Sequence, residues 1–497
     1  MGYLTKDINN FESASEVAKV FEDTNVLVTG ASGFLGKVLI EKLLHDCRGI
    51  KHIYLLIRIK RGQDATTRLE SLIKSPLFDR VRKSDASLLN KLVAIDGDLL
   101  SPELGITQQN SELLQKEVGI IFHCAATVKF DDILRTSLEM NLLGTTKLIA
   151  LAKKMANLKC IVHASTAYAN CHLSETMEKV YPPPINPTKL VDALGCFDDE
   201  MIETITPKIL KTRPNTYTFT KALAESQFIE DCKDLPAIII RPSIIGACWS
   251  EPCPGWTDNY NGPTGMITAV GKCVLRYVPG KEEMKADIIP VDIVSNLMVV
   301  CAYHRITNDT KEIPVVHCTS GVLNPVRWKN VQTFTSQFFR DYPFADTDGL
   351  PFAECTDYQT VFNIDYYVRG YFPAKALDFV NGVIGKKSNY GRTYDQIYKM
   401  IATLKFFTNH EWHFHSENLV KIWDTLGSED KERFNFDVRQ VEWNKYFYDY
   451  LMGIKIYLFK QTFTDIKKEQ KRAKKLWRSP SILHMIFWFI AVRLFAW

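Results

Sequence analysis

The stretch Thr29-Gly30-Ala31-Ser32-Gly33-Phe34-Leu35-Gly36 constrains this chain more than any other. It follows a β-branched run, Asn25–Thr29 (NVLVT), and opens into Phe34–Cys47, where Leu35, Val38, Leu39 and Leu43 fall on one helical face. Glycines in the pattern G-x-x-G-x-x-G between a strand and a helix fit a dinucleotide-binding turn. Gly30 permits a sharp exit from the strand. Gly33 lets the backbone approach a pyrophosphate, and Gly36 lets helix and strand pack closely. Free N–H groups at the helix start, and the helix dipole, favour the anion. The glycines alone are a weak signal, and the strand–turn–helix context carries the reading. The bland alternative is a tight turn without a ligand.

Near-continuous apolar runs recur along the first half. Ile53–Arg58, Lys91–Ile95, Gly119–His123, Cys160–His163 and Ala237–Arg241 all read as buried strands. Alternating with helical patterns, they predict a parallel sheet covered on both faces. The expected class is α/β, a Rossmann-type doubly wound parallel sheet. The turn-rich stretches Tyr181–Pro187 (YPPPINP) and Glu251–Gly265 predict long loops above the sheet. Alternation stops near residue 355, and Tyr366–Phe459 reads as a mostly helical C-terminal domain.

A site for NAD would place an acidic residue at the end of the second strand. This chain has Arg58 there, then Lys60 and Arg61, which suit a 2′-phosphate and favour NADPH. The alternative is a solvated basic turn. Asp98 and Leu99, after another strand, are candidate adenine contacts, with a turn or cap residue the competing reading of Asp98.

Tyr217 and Lys221 are four apart on a predicted helix and share one face. An ammonium there would favour the phenolate of Tyr217, tuning it for proton transfer beside a carbonyl oxygen. Ser165 and Thr166 lie just beyond a strand, where one hydroxyl can donate to a developing oxyanion. Asn141 lies in NLLGT, at the expected spacing after the fourth strand. The set resembles the extended short-chain dehydrogenase/reductase superfamily. That resemblance implies a catalytic group of Thr166 (Ser165 second), Tyr217 and Lys221, with Asn141 assisting.

A narrower resemblance rests on TGASGFLGKVLIEKLL at Thr29–Leu44, HCAATVKFDD at His123–Asp132, HASTAYAN at His163–Asn170 and YTFTKALAE at Tyr217–Glu225. It continues through Arg241–Gly265, Asp287–Asn296 (DIIPVDIVSN) and Phe406–Leu419. The EPCPGW-to-GPTG loop is its most specific piece. Together these stretches resemble the alcohol-forming fatty acyl-CoA reductases, of the insect type. Ile59 departs from them, standing where similar reductases often have Pro. The resemblance implies NADPH-dependent reduction of a long-chain fatty acyl-CoA to a primary alcohol through an aldehyde. It also implies cofactor contacts from Thr29, Gly30, Ser32, Gly33, Phe34, Leu35, Gly36, Arg58, Lys60, Asp98, Leu99, Ala125, Ala126, Thr127, Tyr217, Lys221, Pro242 and Ser243. Open alternatives are a reductase that stops at the aldehyde, a membrane-bound steroid-type relative, and a catalytically silent NADP-binding protein.

The 497 residues divide by this reading into a reductase domain over 15–355, a helical domain over 356–462 and a tail over 463–497. The formal charge of +4 hides a basic tail, with eight Lys/Arg and two Asp/Glu from Asp465 to Trp497. The body is slightly acidic, so no nucleic-acid partner is expected. Ile482–Trp497 is apolar but short for a span. With the basic run before it and Trp477, Trp488 and Trp497, it predicts a membrane-anchor segment, spanning or lying in one leaflet. The resemblance favours the endoplasmic reticulum or peroxisomes. The twelve cysteines are scattered with no C-x-x-C pair, and the first residues lack a signal-peptide pattern. A reducing, cytosol-facing location follows. His410, His413 and His415 lack acidic or cysteine partners at familiar spacing, so no metal is expected.

Overall fold

Seven short apolar strands pair in parallel into one sheet. They are β1 (Asn25–Thr29), β2 (Ile53–Ile57), β3 (Leu92–Asp96), β4 (Val118–His123), β5 (Cys160–Ala164), β6 (Ala237–Pro242) and β7 (Val315–Cys318), in the order β7-β6-β5-β4-β1-β2-β3. The computed structural model describes residues 15–60, 62–345, 347, 349–461 and 466–473. Alternate strand residues enter opposite cores. Val26 and Val28 join one apolar cluster, and Leu27 between them joins the other. Both faces are covered, which is why these strands read as continuous apolar runs. Six of the strands were legible in the sequence. β7 (VVHC) was missed because four residues carry no readable period.

The order reverses between β1 and β4, since the chain runs outward to β3 and then returns across β1. Ligands of open parallel sheets lie at the carboxyl ends of the strands at such a reversal. Helix α1 (Phe34–Asp46) and helix α3 (Val291–Thr307) pack together over one face. Helix α2 (Thr216–Asp231) lies on the other face, starts at an Asn215 side-chain cap on the Thr218 N–H, and carries Tyr217 and Lys221.

The C-terminal region is helical, with α4 (Phe372–Val383), α5 (Tyr390–Asn409) and α6 (Trp443–Gly453) among its elements. It shares one continuous core with the sheet. Tyr446 of α6 donates to the Ala247 carbonyl at 3.1 Å. A Cβ on Gly453 would stand 1.8 Å from the Gly255 carbonyl oxygen, so this contact requires the bare backbone. Among the described residues no helix is long and apolar enough to cross a membrane. The expected anchor, Ile482–Trp497, lies outside the described residues, as does Arg61.

Candidate active site

The turn after β1 is tight enough to require its glycines. Gly30 has φ +73°, and a Cβ there would lie 2.7 Å from the backbone of Cys124 and Ala125. A Cβ on Gly36 would lie 2.3 Å from the Gly30 carbonyl oxygen. Gly33 donates its N–H to the same oxygen at 2.8 Å and stands exposed as the N-cap of α1. This bare-backbone cradle at a helix N-terminus fits a pyrophosphate. Phe34 stacks on Trp256 with centroids 5.4 Å apart, and Leu35 packs against the core. Both side chains are occupied by packing, which leaves their backbones for any cofactor contact.

Trp256 belongs to the 249–262 loop, which braces α1. Asp292 on α3 accepts the N–H groups of Trp249, Ser250 and Glu251 at 2.8, 2.8 and 3.0 Å. Glu251 pairs with Lys42 of α1 at 2.9 Å and with Arg80 at 2.6 Å, and Arg80 also forks onto Glu41. Asp258 pairs with Lys37. The stretch that carries the family resemblance most specifically therefore holds the phosphate-binding helix in place.

Arg58 and Lys60 are exposed beyond β2. Arg68 joins them, and sequence reasoning missed it. It donates from Nη2 to the Ser32 hydroxyl at 3.2 Å and from Nη1 to the Arg58 carbonyl. Burial, and then repulsion by Arg58, lower its pKa, so an anion between them would relieve the strain on both charges. Its signal was hidden because it sits one helix turn into Ala65–Ile73, beyond the loop where a cation was sought. Asp98 is half-buried and accepts the Leu100 N–H at 3.1 Å, so one carboxylate oxygen closes its own turn. Leu99 is buried, so any adenine contact would come from its backbone. Its side chain packs inward on Gly144, where a Cβ would meet it at 2.8 Å.

At the mouth of β4 a polar relay, absent from the sequence reading, joins the strand ends. Thr29 Oγ1 lies 2.6 Å from His123 Nδ1, and His123 Nε2 lies 3.0 Å from Thr145 Oγ1, which donates to the Asn141 carbonyl at 2.7 Å. With its own proton spent there, Thr145 accepts from Nε2–H, and Nδ1 accepts from Thr29. Burial, aided by the Lys221 charge, pushes the His123 pKa down to about 3, which keeps that ring neutral. Ala125 donates to Thr29 Oγ1 at 3.4 Å. Asn141, in a π-turn (Glu139–Leu143), accepts the Thr127 N–H at 2.9 Å and donates to Thr220 Oγ1 at 3.0 Å. Asn141 thus ties the loop of Ala126 and Thr127 to the catalytic helix.

Thr166 and Tyr217 meet above the end of β5. Burial pushes the Tyr217 phenol up to about 12, a hydrogen bond with the Thr166 side chain opposes this, and Glu225 adds to the rise. The expected tuning by the ammonium gives way to another arrangement. Lys221 donates to the Ala164 carbonyl at 2.8 Å, and its own pKa falls to about 8, chiefly by burial, with Glu225 and Cys124 opposing. Tyr217 is therefore a neutral phenol, which keeps its proton until a stronger base such as an alkoxide is beside it. The two candidate hydroxyls differ. Thr166 Oγ1 caps the following turn through the Tyr168 N–H at 3.2 Å and lies 3.5 Å from the Pro242 carbonyl. Ser165 is buried and its Oγ has no protein partner. Ser243 donates its N–H to Cys318 at 3.0 Å, which fixes the chain beyond Pro242. Glu225 is held in turn by a two-pronged bond from buried Arg241, both at 2.8 Å.

An aromatic wall closes the substrate side. Tyr217 packs against Phe130 (centroids 5.5 Å), Phe130 against Phe407 of α5 (5.6 Å), and Phe407 edge-on to Tyr168 (5.1 Å). Trp412 and Phe414 complete the cluster. Pairing of Glu175–Thr176 with His413–Phe414 also sets Glu175 beside His413 and His415, with ligand atoms within 4.8 Å of one another. That carboxylate was invisible to spacing. His415 is gripped by Glu175 at 2.6 Å and Glu417 at 2.9 Å, which raises its pKa. His410 stacks on Phe406 and contacts its carbonyl at 2.8 Å.

A glycine cradle at the sheet reversal beside Thr166, Tyr217 and Lys221 fits a nicotinamide-dependent oxidoreductase on a Rossmann-type sheet. The comparisons narrow this. Residues 28–298 match the NAD-binding part, and 369–461 the second part, of the family described as Male sterility protein. Fatty acyl-CoA reductase 1 of Gallus gallus is 38% identical over 96% of this chain and 93% of its own length. The Homo sapiens protein of that name is 37% identical over the same shares. The chain belongs to the fatty acyl-CoA reductase family. Among solved structures, the terminal reductase domain of the myxalamid pathway aligns at TM-score 0.60 and 19% identity over 88% of this chain and 92% of that one. A reductase domain of a Mycobacterium tuberculosis nonribosomal peptide synthetase aligns at 0.57 and 17% over 90% and 96%. These two likenesses concern the fold.

Proposed function

We propose that the protein reduces long-chain fatty acyl-CoA to the primary alcohol in two hydride transfers from NADPH, passing through the aldehyde. The observation that carries this is the placing of Tyr217 and Lys221 one turn apart on α2, beside Thr166 and the glycine cradle, in a chain of this family. The glycine cradle would hold the NADPH pyrophosphate, and the cofactor when bound would supply the hydride. Thr166 and Tyr217 hold the thioester oxygen as negative charge develops on it. Collapse expels the CoA thiolate and leaves the aldehyde. In the second round Tyr217 gives its proton to the alkoxide, and Lys221, one helix turn away, would hold the nicotinamide ribose. The aromatic wall from Phe130 to Phe407 offers the acyl chain an apolar surface. NADPH over NADH is favoured by Arg58, Lys60 and Arg68 around Ser32.

The same reading sets the protein on an endoplasmic reticulum or peroxisomal membrane through its tail, with the catalytic domain in the cytosol. It is supported by the basic run before Ile482 and by α4, where Phe379 and Val383 are each 73% exposed near Lys386 and Lys387. The test is NADPH consumption by the detergent-solubilised protein with C16 and C18 acyl-CoA, products identified by mass spectrometry. Alcohol is expected. Aldehyde alone would remove the second reduction, and no turnover with any acyl-CoA would overturn the reading. Sedimentation of the full chain with organelle membranes, lost on deleting 482–497, tests the location.

A further inference from the structure

Among the described residues, the buried cation Arg213 has no anionic partner. It is 8% exposed and stands in the loop that leads into α2, four residues before Tyr217. Among the described residues its guanidinium makes one hydrogen bond, a long one from Nη2 to Asn170 Oδ1 at 3.4 Å, and Nε has no partner. Burial lowers its pKa and the Cys171 thiol is the group that opposes this, so no carboxylate compensates the guanidinium. The pKa of neighbouring His172 is lowered by burial first and then by the same charge. A second donor is stranded close by in the chain. Asn215, 6% exposed, uses Oδ1 to cap the Thr218 N–H at 2.9 Å, while its Nδ2 has no partner.

Two buried donor groups without acceptors are costly to a folded chain unless a ligand satisfies them. A buried guanidinium is costlier still and calls for acceptor oxygens, best on an anion. Their position says which ligand. Asn170 lies four residues beyond Thr166, and Arg213 four before Tyr217, so the pair bridges the two segments that carry the catalytic hydroxyls. The positive end of the sixteen-residue α2 adds to the same field. The cofactor phosphates belong at the glycine cradle and the ribose cations beyond β2, both on the other side of β4. The substrate is the source of acceptor oxygens that the Thr166–Tyr217 side of the sheet calls for.

We propose that Arg213, with Asn215 and the Arg213–Asn170 contact, forms a subsite for acceptor oxygens on the CoA arm of the thioester. It would hold the departing half of the substrate beside Thr166 and Tyr217, and the free aldehyde would not use it. This rests on the acyl-CoA reading above. The amide carbonyls of the pantetheine arm and the phosphates beyond it share this chemistry.

Arg213→Gln and Arg213→Lys should be compared with wild type in steady-state kinetics with acyl-CoA, the matching acyl-pantetheine and the matching aldehyde, and in calorimetric binding of free CoA and of NADPH. The expected result for Arg213→Gln is a KM for acyl-CoA and a Kd for CoA each raised about 10-fold, the loss of one charge-assisted contact. KM for aldehyde and Kd for NADPH should stay within twofold. Arg213→Lys should recover part of the loss. A rise with acyl-pantetheine too assigns the carbonyls, and a rise confined to acyl-CoA assigns the phosphates. Equal rises for acyl-CoA and aldehyde, or no change in CoA binding with an intact fold, would overturn the subsite. If the Arg213→Gln protein does not fold, the Arg213→Lys measurements decide alone, by unchanged or weakened CoA binding. Wild-type protein that turns over aldehyde but no acyl-CoA would instead overturn the parent reading.

Discussion

On the cofactor side of the site, one turn of chain acts through its backbone. On the substrate side, each group that reaches the reacting carbonyl comes from a different segment. Gly30, Gly33 and Gly36 lie within seven residues, and their geometry follows from a strand entering a helix. Thr166, Tyr217, Phe130 and Phe407 are brought together only by the sheet order and by packing of the C-terminal helices. Local constraint gives one side rigidity, with the 249–262 loop braced behind it. Tertiary assembly lets the other side set pKa values by burial. Breaking each side should therefore fail differently, the first in binding and stability and the second in turnover.

The largest effect is expected from Tyr217→Phe. It removes the proton donor and leaves ring packing against Phe130 intact. Turnover should fall by about 10³, some 4 kcal/mol of barrier, with NADPH affinity within twofold. A loss of NADPH binding of similar size would show that the two sides are not separable in this way. On the other side, Gly36→Val should fail before chemistry begins. Its Cβ would stand 2.3 Å from the Gly30 carbonyl oxygen, so the cost is about 3 kcal/mol of stability or more. Thermal melting without cofactor reads it, and an unchanged Tm would mean that the turn gives way more easily than its backbone contacts imply.

This contrast also explains what the sequence made legible. The cradle, six strands and the Tyr217–Lys221 pair were readable because each rests on spacing within one element. The electrostatics were not. Lys221 was expected to lower the Tyr217 pKa, but its Nζ reaches the Ala164 carbonyl, and burial decides both values. Leu99 turned inward because Gly144, some 45 residues away in the chain, leaves it a socket. His123 looked like one more strand residue until Thr29 and Thr145 were set on either side of it. Glu175 reached His413 and His415 through a strand pair too short to carry a pattern.

Lys221 offers a pH test of the substrate side. Its folded pKa of about 8 lies below the 10.5 of the unfolded chain. Between those values the unfolded state holds a proton that the folded state has released, so stability contributed by this group rises with pH there. Below pH 8 both states are protonated and the burial penalty is felt in full. Relative to Lys221→Met, wild-type unfolding free energy should gain on the order of 3 kcal/mol from pH 8 to pH 10.5. Taking the difference between the two proteins cancels the other groups. Over the same range kcat/KM of the wild type should fall as the ammonium is lost. Parallel stability profiles for the two proteins would mean that Lys221 keeps an ordinary pKa.

The smallest expected effect sharpens the cofactor side. Arg68 touches Ser32 of the cradle and the Arg58 carbonyl, so it links the phosphate-binding turn to the basic end of β2. Without an anion it is a half-buried cation beside another. With a 2′-phosphate in place, both guanidinium groups gain a partner, whereas a bare 2′-hydroxyl leaves the repulsion standing. Arg68→Ala should raise KM for NADPH by about 10-fold, near 1.4 kcal/mol, and leave KM for NADH little changed or lower. Arg58→Ala should do less, because its side chain is exposed and screened. Equal losses for both cofactors would make Arg68 a brace for the Ser32 turn, with no part in selecting the phosphate. The NADPH-to-NADH ratio separates these two roles, because a loosened turn weakens the pyrophosphate grip that both cofactors share.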